Sequence, residues 1–214
     1  MKRKVIYLLK KLDRKTGYRL LGFIRRLTNI NTPEYWDKKL LSKGECWRDF
    51  PYKFLLKFLP KNEKFSLLDI GCALGDGCIL LKKEFPLAEI SGADFSKVAI
   101  EKAKRKTNQV SFFVLDILKQ NPPKKYDYII LIHILEHFNN PYLIVDKCLH
   151  FVRKALIIEC PYTERFDSPY LYWPGQHRYL FNKHTFSKYN CRILEITEKI
   201  ESAGYKYIIY QLTP

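Results

Sequence analysis

The residues with the clearest chemical purpose lie in one stretch, Asp69-Ile70-Gly71-Cys72-Ala73-Leu74-Gly75-Asp76-Gly77. Three glycines follow the apolar run from Phe65 to Ile70, and Ile79-Leu80-Leu81 resumes beyond them. This order predicts a buried strand, a tight turn, and a helix whose first turn carries little side-chain bulk. Glycine lets backbone approach a ligand closely, and a helix start offers N–H groups without intrahelical partners. The turn suits a nucleotide-like molecule. Counted from Gly71, the third and sixth positions are Ala73 and Asp76, where a dinucleotide fingerprint needs glycine. No Gly-Lys-Ser/Thr follows, so it is not a phosphate-cradling P-loop. Asp69 repels a pyrophosphate and suits a ligand that carries an ammonium group.

The pattern Asp-x-Gly-x-Ala-x-Gly resembles the first motif of the class I S-adenosylmethionine-dependent methyltransferases, with Ala73 where many members have glycine. Gly92-Ala93-Asp94-Phe95-Ser96, Leu115-Asp116-Ile117 and Tyr126-Asp127-Tyr128-Ile129-Ile130 resemble the next three motifs in order and spacing. Leu135-Glu136-His137 and Asn140-Pro141 resemble a frequent continuation, and the likeness runs from about residue 35 to the C-terminus. It implies S-adenosylmethionine as cofactor. Asp94 would then accept both ribose hydroxyls, since one carboxylate can serve two vicinal donors. Asp116 would accept the adenine amine, with Phe95 and Ile117 against the ring faces. Asp69 would attract the methionine ammonium, directly or through water, while Gly71, Cys72 and Gly75 make room.

In this family the residues after the fourth strand face the methyl group; here they are His133-Ile134-Leu135-Glu136-His137. His133 joins the cofactor set. His137 is the candidate general base for a hydroxyl acceptor, or a structural residue. The pentapeptide also fits His-x-x-Glu-His, a zinc-hydrolase pattern that needs both histidines on one helix face. The preceding segment reads as a strand, which argues against it. Some catechol-type and RNA-ribose O-methyltransferases carry Glu-x-x-Glu-His here and hold a divalent ion. His133 replaces their first glutamate and removes a hard oxygen ligand, so no metal is expected; Glu136 and His137 are the candidates should one bind. From Cys160 to Asn182 runs a long aromatic loop, a substrate-lid composition. Within it, His177 to Phe181 resembles a His-x-x-x-Phe element of small-molecule members, making His177 the second candidate to orient or deprotonate the acceptor. Arg165 and Arg178 would suit an anionic acceptor.

These side chains need a scaffold that brings strand ends together. Strands at Phe65–Ile70, Glu89–Asp94, Ser111–Leu115, Tyr126–Ile132 and Ala155–Glu159 alternate with helical segments, one capped by Ser96 and one starting at Asn140-Pro141. Alternation of this kind predicts parallel strands with crossover helices. Arg192–Ile200 and Tyr205–Leu212 flank a glycine-containing turn and read as a hairpin. The expected fold is α/β: a doubly wound, Rossmann-like, seven-stranded sheet with a C-terminal antiparallel hairpin and helices on both faces. Thr32-Pro33 should open a helix whose Tyr35 and Trp36 lie near the cofactor, and Pro51–Leu59 a second helix closed by Pro60.

The chain of 214 residues divides into a basic extension, residues 1–30, and a methyltransferase-like domain, residues 31–214. The extension holds ten Lys/Arg against one Asp, a net +9, whereas the other 184 residues hold 28 against 21, a net +7. Val5, Leu8, Leu9 and Leu12, then Leu20, Phe23, Ile24 and Leu27, predict two amphipathic helices. They could pack on the domain or meet an anionic partner, a membrane surface or RNA. No second protein is implied. Six scattered cysteines without a Cys-x-x-Cys pair suit a reducing compartment, and with no secretory leader or membrane span expected, the cytoplasm follows. The expected function is methylation of a small-molecule oxygen on a sugar, a glycan or lipid precursor, or a phenol. The alternatives are an RNA methyltransferase and a non-catalytic cofactor-binding or membrane-docking protein.

Overall fold

The structure is a computed structural model that describes residues 31–42, 50–162, 177–197 and 206–214. The basic extension, most of the aromatic loop and the hairpin turn lie outside the described residues. Among the described residues two helices come first, α1 (Pro33–Ser42) and α2 (Phe50–Leu55), the latter running into a 3-10 turn, Leu56–Phe58. The expected single helix from Pro51 to Leu59 is thus shorter and tightens before Pro60. Thr32 caps α1: its Oγ1 accepts the Tyr35 N–H at 3.3 Å.

Among the described residues seven strands form one sheet in the order β3-β2-β1-β4-β5-β7-β6. They are β1 (Ser66–Ile70), β2 (Glu89–Asp94), β3 (Ser111–Val114), β4 (Tyr126–Ile132), β5 (Val152–Tyr162), β6 (Cys191–Ile196) and β7 (Lys206–Leu212). The first five are parallel; β7 runs antiparallel between β5 and β6. Strand β5 extends three residues past either expected end. It pairs with β4 on one side and β7 on the other, so its full length finds backbone partners.

Period-two alternation divides the core between the two faces. Leu68, Ile129, Leu131, Leu156 and Ile158 face a cluster completed by α5 (Tyr142–Phe151) together with Phe181 and Phe186. Leu67, Ile130, Ile132 and Ile157 face another, built with α2, α3 (Asp76–Glu84) and α4 (Lys97–Lys106). Because both faces are covered, the central strands read as continuous apolar runs. Ser96 caps α4 as expected, its Oγ accepting the Ala99 N–H at 3.0 Å. Strand order reverses between β1 and β4, and a cleft opens at the carboxyl ends of strands around such a point.

Candidate active site

The turn after β1 holds Gly71 at φ +84° and Gly75 at φ +80°, a region that L side chains avoid. Sterics demand glycine as well. A Cβ on Gly71 would stand 2.0 Å from Ile134 Cδ1, and one on Gly77 would stand 1.9 Å from the Tyr52 ring. The segment after β4 therefore lies directly over the turn after β1. Ala73, where many resembling proteins have glycine, sits at φ +48°, which costs an alanine roughly 1–2 kcal/mol. Its N–H donates to Asp94 Oδ2 at 3.0 Å, holding it there.

The expected carboxylates sit at three successive strand ends. Asp69 is buried; its Oδ2 accepts the Tyr52 hydroxyl at 2.8 Å and the Cys78 thiol at 3.3 Å. Its Oδ1 has no partner and is shielded from solvent. Burial pushes the carboxyl up to about 7, although both hydrogen bonds pull it down. A buried, half-satisfied carboxylate invites a cationic donor, and a methionine-type ammonium meets that need. Asp94 accepts from Ala73 and from the Ser96 N–H at 2.8 Å, and burial raises it too. Each oxygen keeps a second lone pair for a hydroxyl. Asp116 caps its own turn, with Leu118 N–H on Oδ1 and Lys119 Nζ at 2.9 Å from Oδ2. Phe95 is half-buried, while Ile117 is buried in the core and its carbonyl accepts Lys147 Nζ at 2.7 Å.

Beyond β4 the chain turns sharply. His133 takes φ +54°, and a short 3-10 turn, Leu135–His137, follows. His133 thus lies outside the helical turn, and the shared helix face of a zinc hydrolase does not form. Its backbone N–H donates to the Glu159 carbonyl at 3.1 Å, and its ring packs edge-on against Tyr207. The same ring lies between two buried carboxylates, with Nδ1 3.3 Å from Glu136 Oε1 and Nε2 3.7 Å from Glu159 Oε1. Burial works against an ionised Glu136. The His133 hydrogen bond and the imidazoles of His137, His133 and His177 outweigh it and hold the carboxyl down to about 2. Burial drives Glu159 the other way, up to about 7. His177 meets this group as expected: its ring centre is 5.2 Å from that of His137, its Nε2 is 3.9 Å from Glu136 Oε1, and burial lowers it to about 4. It is a neutral imidazole at neutral pH.

Helix α1 closes one side. Trp36 packs edge-on against His137 at 5.0 Å between centroids, Asn31 Nδ2 donates to the His137 carbonyl at 2.9 Å, and Asp37 accepts the Ser96 hydroxyl. Tyr35 stands edge-on to Trp36. Several contributors escaped the sequence reading. Tyr52 and Asp37 reach the site from helices far from the motifs, and no local pattern marks them. Glu159 carried a signal, a carboxylate inside the apolar run from Ala155 to Cys160.

A five-stranded parallel sheet continued by an antiparallel β7, with carboxylates at successive strand ends, defines the class I methyltransferase fold. Residues 45–206 match the family of methyltransferase domains. The chain belongs to that family. Over 134 residues it is 25% identical to trans-aconitate 2-methyltransferase of Enterobacter sp. (strain 638), covering 63% of this chain and 53% of that protein. It is 35% identical over 96 residues to malonyl-[acyl-carrier protein] O-methyltransferase of Priestia megaterium, covering 44% and 35%. These matches span about half or less of either relative. In structure it is similar to magnesium protoporphyrin IX methyltransferase of Synechocystis PCC 6803 with bound SAH (TM-score 0.61, 16% identity, 86% of this chain and 96% of that one).

Proposed function

We propose that this chain transfers a methyl group from S-adenosylmethionine to an oxygen of a small molecule, such as a sugar, a glycan or lipid precursor, or a phenol. The observation that carries this reading is the meeting of His137 and His177 around Glu136, on the segment whose Ile134 lies over Gly71. Asp69 receives the cofactor's ammonium on its unpartnered oxygen. Asp94 accepts the ribose hydroxyls and Asp116 the adenine amine, while Gly71, Cys72 and Gly75 let the backbone come close. Phe95 and His133 border this cofactor side, and Ile117 supports it from the core. The bound cofactor supplies a methyl group on a positively charged sulfur, open to direct displacement.

What remains for the protein is orientation and a proton. The imidazole of His177, neutral at neutral pH, or that of His137 takes the proton of an attacking hydroxyl, and the ionised Glu136 stabilises the imidazolium that forms. Trp36, edge-on to His137, keeps water from one side of the pair. The named relatives methylate trans-aconitate and malonyl-acyl-carrier protein. Both acceptors are acidic, which favours oxygen as the atom methylated and keeps an anionic acceptor among the candidates; Arg178 stands next to His177 for such a charge.

The test is transfer of labelled methyl from the cofactor to a cell extract fractionated into small molecules, lipid, RNA and protein. Label in the small-molecule or lipid fraction is expected, and label confined to RNA would replace this reading with the RNA one. His137→Ala should retain S-adenosylhomocysteine binding within about twofold and lose at least about 100-fold in turnover. Wild-type turnover in that variant would remove His137 from the mechanism.

A further inference from the structure

Glu136 is 1% exposed, and its Oε2 has no hydrogen-bond partner. Among the described residues no lysine or arginine pairs with it; the side chains against it are the imidazoles of His133 and His177. A buried carboxylate oxygen left without a donor calls for a cation or a metal against it. One ligating atom from each of Glu136, His137 and His177 lies within 4.8 Å of the other two. A metal bound at about 2.0–2.2 Å from each holds its ligands roughly 3–3.5 Å apart, so closing the set takes side-chain shifts of about 1 Å.

The backbone already fixes these three residues to one another. Both Arg178 and Tyr179 donate their N–H groups to the Glu136 carbonyl, at 2.5 and 3.2 Å, which ties the segment after His177 to the turn carrying Glu136 and His137. Asn31 holds the His137 carbonyl. His133 remains outside the set, with its Nδ1 against Glu136 Oε1, where it can orient the carboxylate.

We propose that Glu136, His137 and His177 form a binding site for a borderline divalent transition-metal ion, of which zinc is the type. Two imidazoles and one carboxylate suit zinc and its neighbours. Magnesium prefers an all-oxygen octahedron and does not match this set. His177 completes the site; sequence spacing alone offered only Glu136 and His137. Three protein ligands leave a coordination position open. With the ion bound, His137 and His177 serve it as ligands in place of taking the acceptor's proton, and the open position would receive an acceptor oxygen, hydroxyl or carboxylate; this role rests on the methyl-transfer reading, while the ion binding does not.

The experiment is calorimetric titration of zinc into the full chain stripped of metal, repeated with cobalt, whose visible absorption reports imidazole and carboxylate coordination. S-adenosylhomocysteine binding and thermal melting are measured on the same samples. One saturable equivalent per chain is expected. His177→Gln and Glu136→Gln should each weaken zinc binding more than about 100-fold, beyond the roughly 10–100-fold that outer-shell partners alone command. Both should leave S-adenosylhomocysteine affinity unchanged. Glu136 is buried, so His177→Gln, nearer the surface, decides the matter should the other fail to fold. Absence of saturable zinc binding by the wild type, or undiminished binding by His177→Gln, overturns the ion site. Loss of S-adenosylhomocysteine binding by the wild type would instead count against the cofactor assignment.

Discussion

Asp94, the last residue of β2, accepts the backbone N–H of Ala73 through Oδ2 at 3.0 Å, so β2 secures the turn that follows β1. The same carboxylate proposed to hold the ribose therefore shapes the loop proposed to surround the methionine end. Asp94→Ala strips the turn and Ser96 of their acceptor. We expect a stability loss of about 2 kcal/mol or more, from orphaned N–H groups, and loss of S-adenosylhomocysteine affinity of at least about 100-fold from two missing hydroxyl acceptors. Urea denaturation and calorimetry read the two effects separately. Unchanged affinity in a folded variant would show that Asp94 serves only the loop.

Burial raises Asp69 from 3.8 in an unfolded chain to about 7 in the folded one. The folded chain thus favours the protonated form, and its stability is greatest below the lower value. It falls as pH rises through the window between the two values and levels off above, by about 4 kcal/mol in all. An ammonium against Oδ1 needs the ionised carboxylate, so S-adenosylhomocysteine affinity should drop about tenfold per pH unit below pH 7. Asp69→Asn should bind weakly at every pH. Tyr52→Phe removes a hydrogen bond that lowers Asp69, so the midpoint should move to higher pH. A flat wild-type profile would separate Asp69 from the ammonium.

At Gly71 the backbone angle and the Ile134 side chain both exclude a Cβ. Gly71→Ala should destabilise by about 2 kcal/mol or more, combining left-handed strain with overpacking. Adding Ile134→Ala should return the steric share and leave the conformational share. Additive losses in the double variant would mean that the two positions are not in contact.

Glu159 offers a stability test with a definite sign. Burial takes it from 4.5 to about 7, and neither carboxylate oxygen has a hydrogen-bond partner. Its ionisation therefore weakens the folded state increasingly between those values, by about 3 kcal/mol. Glu159→Gln should raise stability at about pH 8, by at most that amount, and change it little at about pH 4. Equal effects at both pH values would contradict the burial argument.

Much of the architecture was legible in the chain itself. Tyr126–Ile132 coincides with its expected strand because a mostly apolar run of that length, broken only by Asp127, has few other uses; the shorter Glu89–Asp94 coincides as well, set in the strand–helix alternation. Boundaries moved where tertiary pairing supplied hydrogen bonds beyond the apolar run, as in β5. The α2 helix stopped early and tightened, since the end of an isolated short helix depends on what it packs against.

By itself the sequence determined the strand-end carboxylates, the need for glycine at positions 71 and 75, and with them the class of ligand. Those features are local: a strand end, a turn and a helix start are set by residues adjacent in the chain. Only the tertiary structure decided which groups complete the site. Tyr52 reaches Asp69 across 17 positions, Asp37 reaches Ser96 across 59, and His177 joins Glu136 from beyond β5. Both glutamates are buried, which no spacing reveals, and their neighbours then separate them: imidazoles hold Glu136 ionised, while burial dominates at Glu159 and poises it near neutrality.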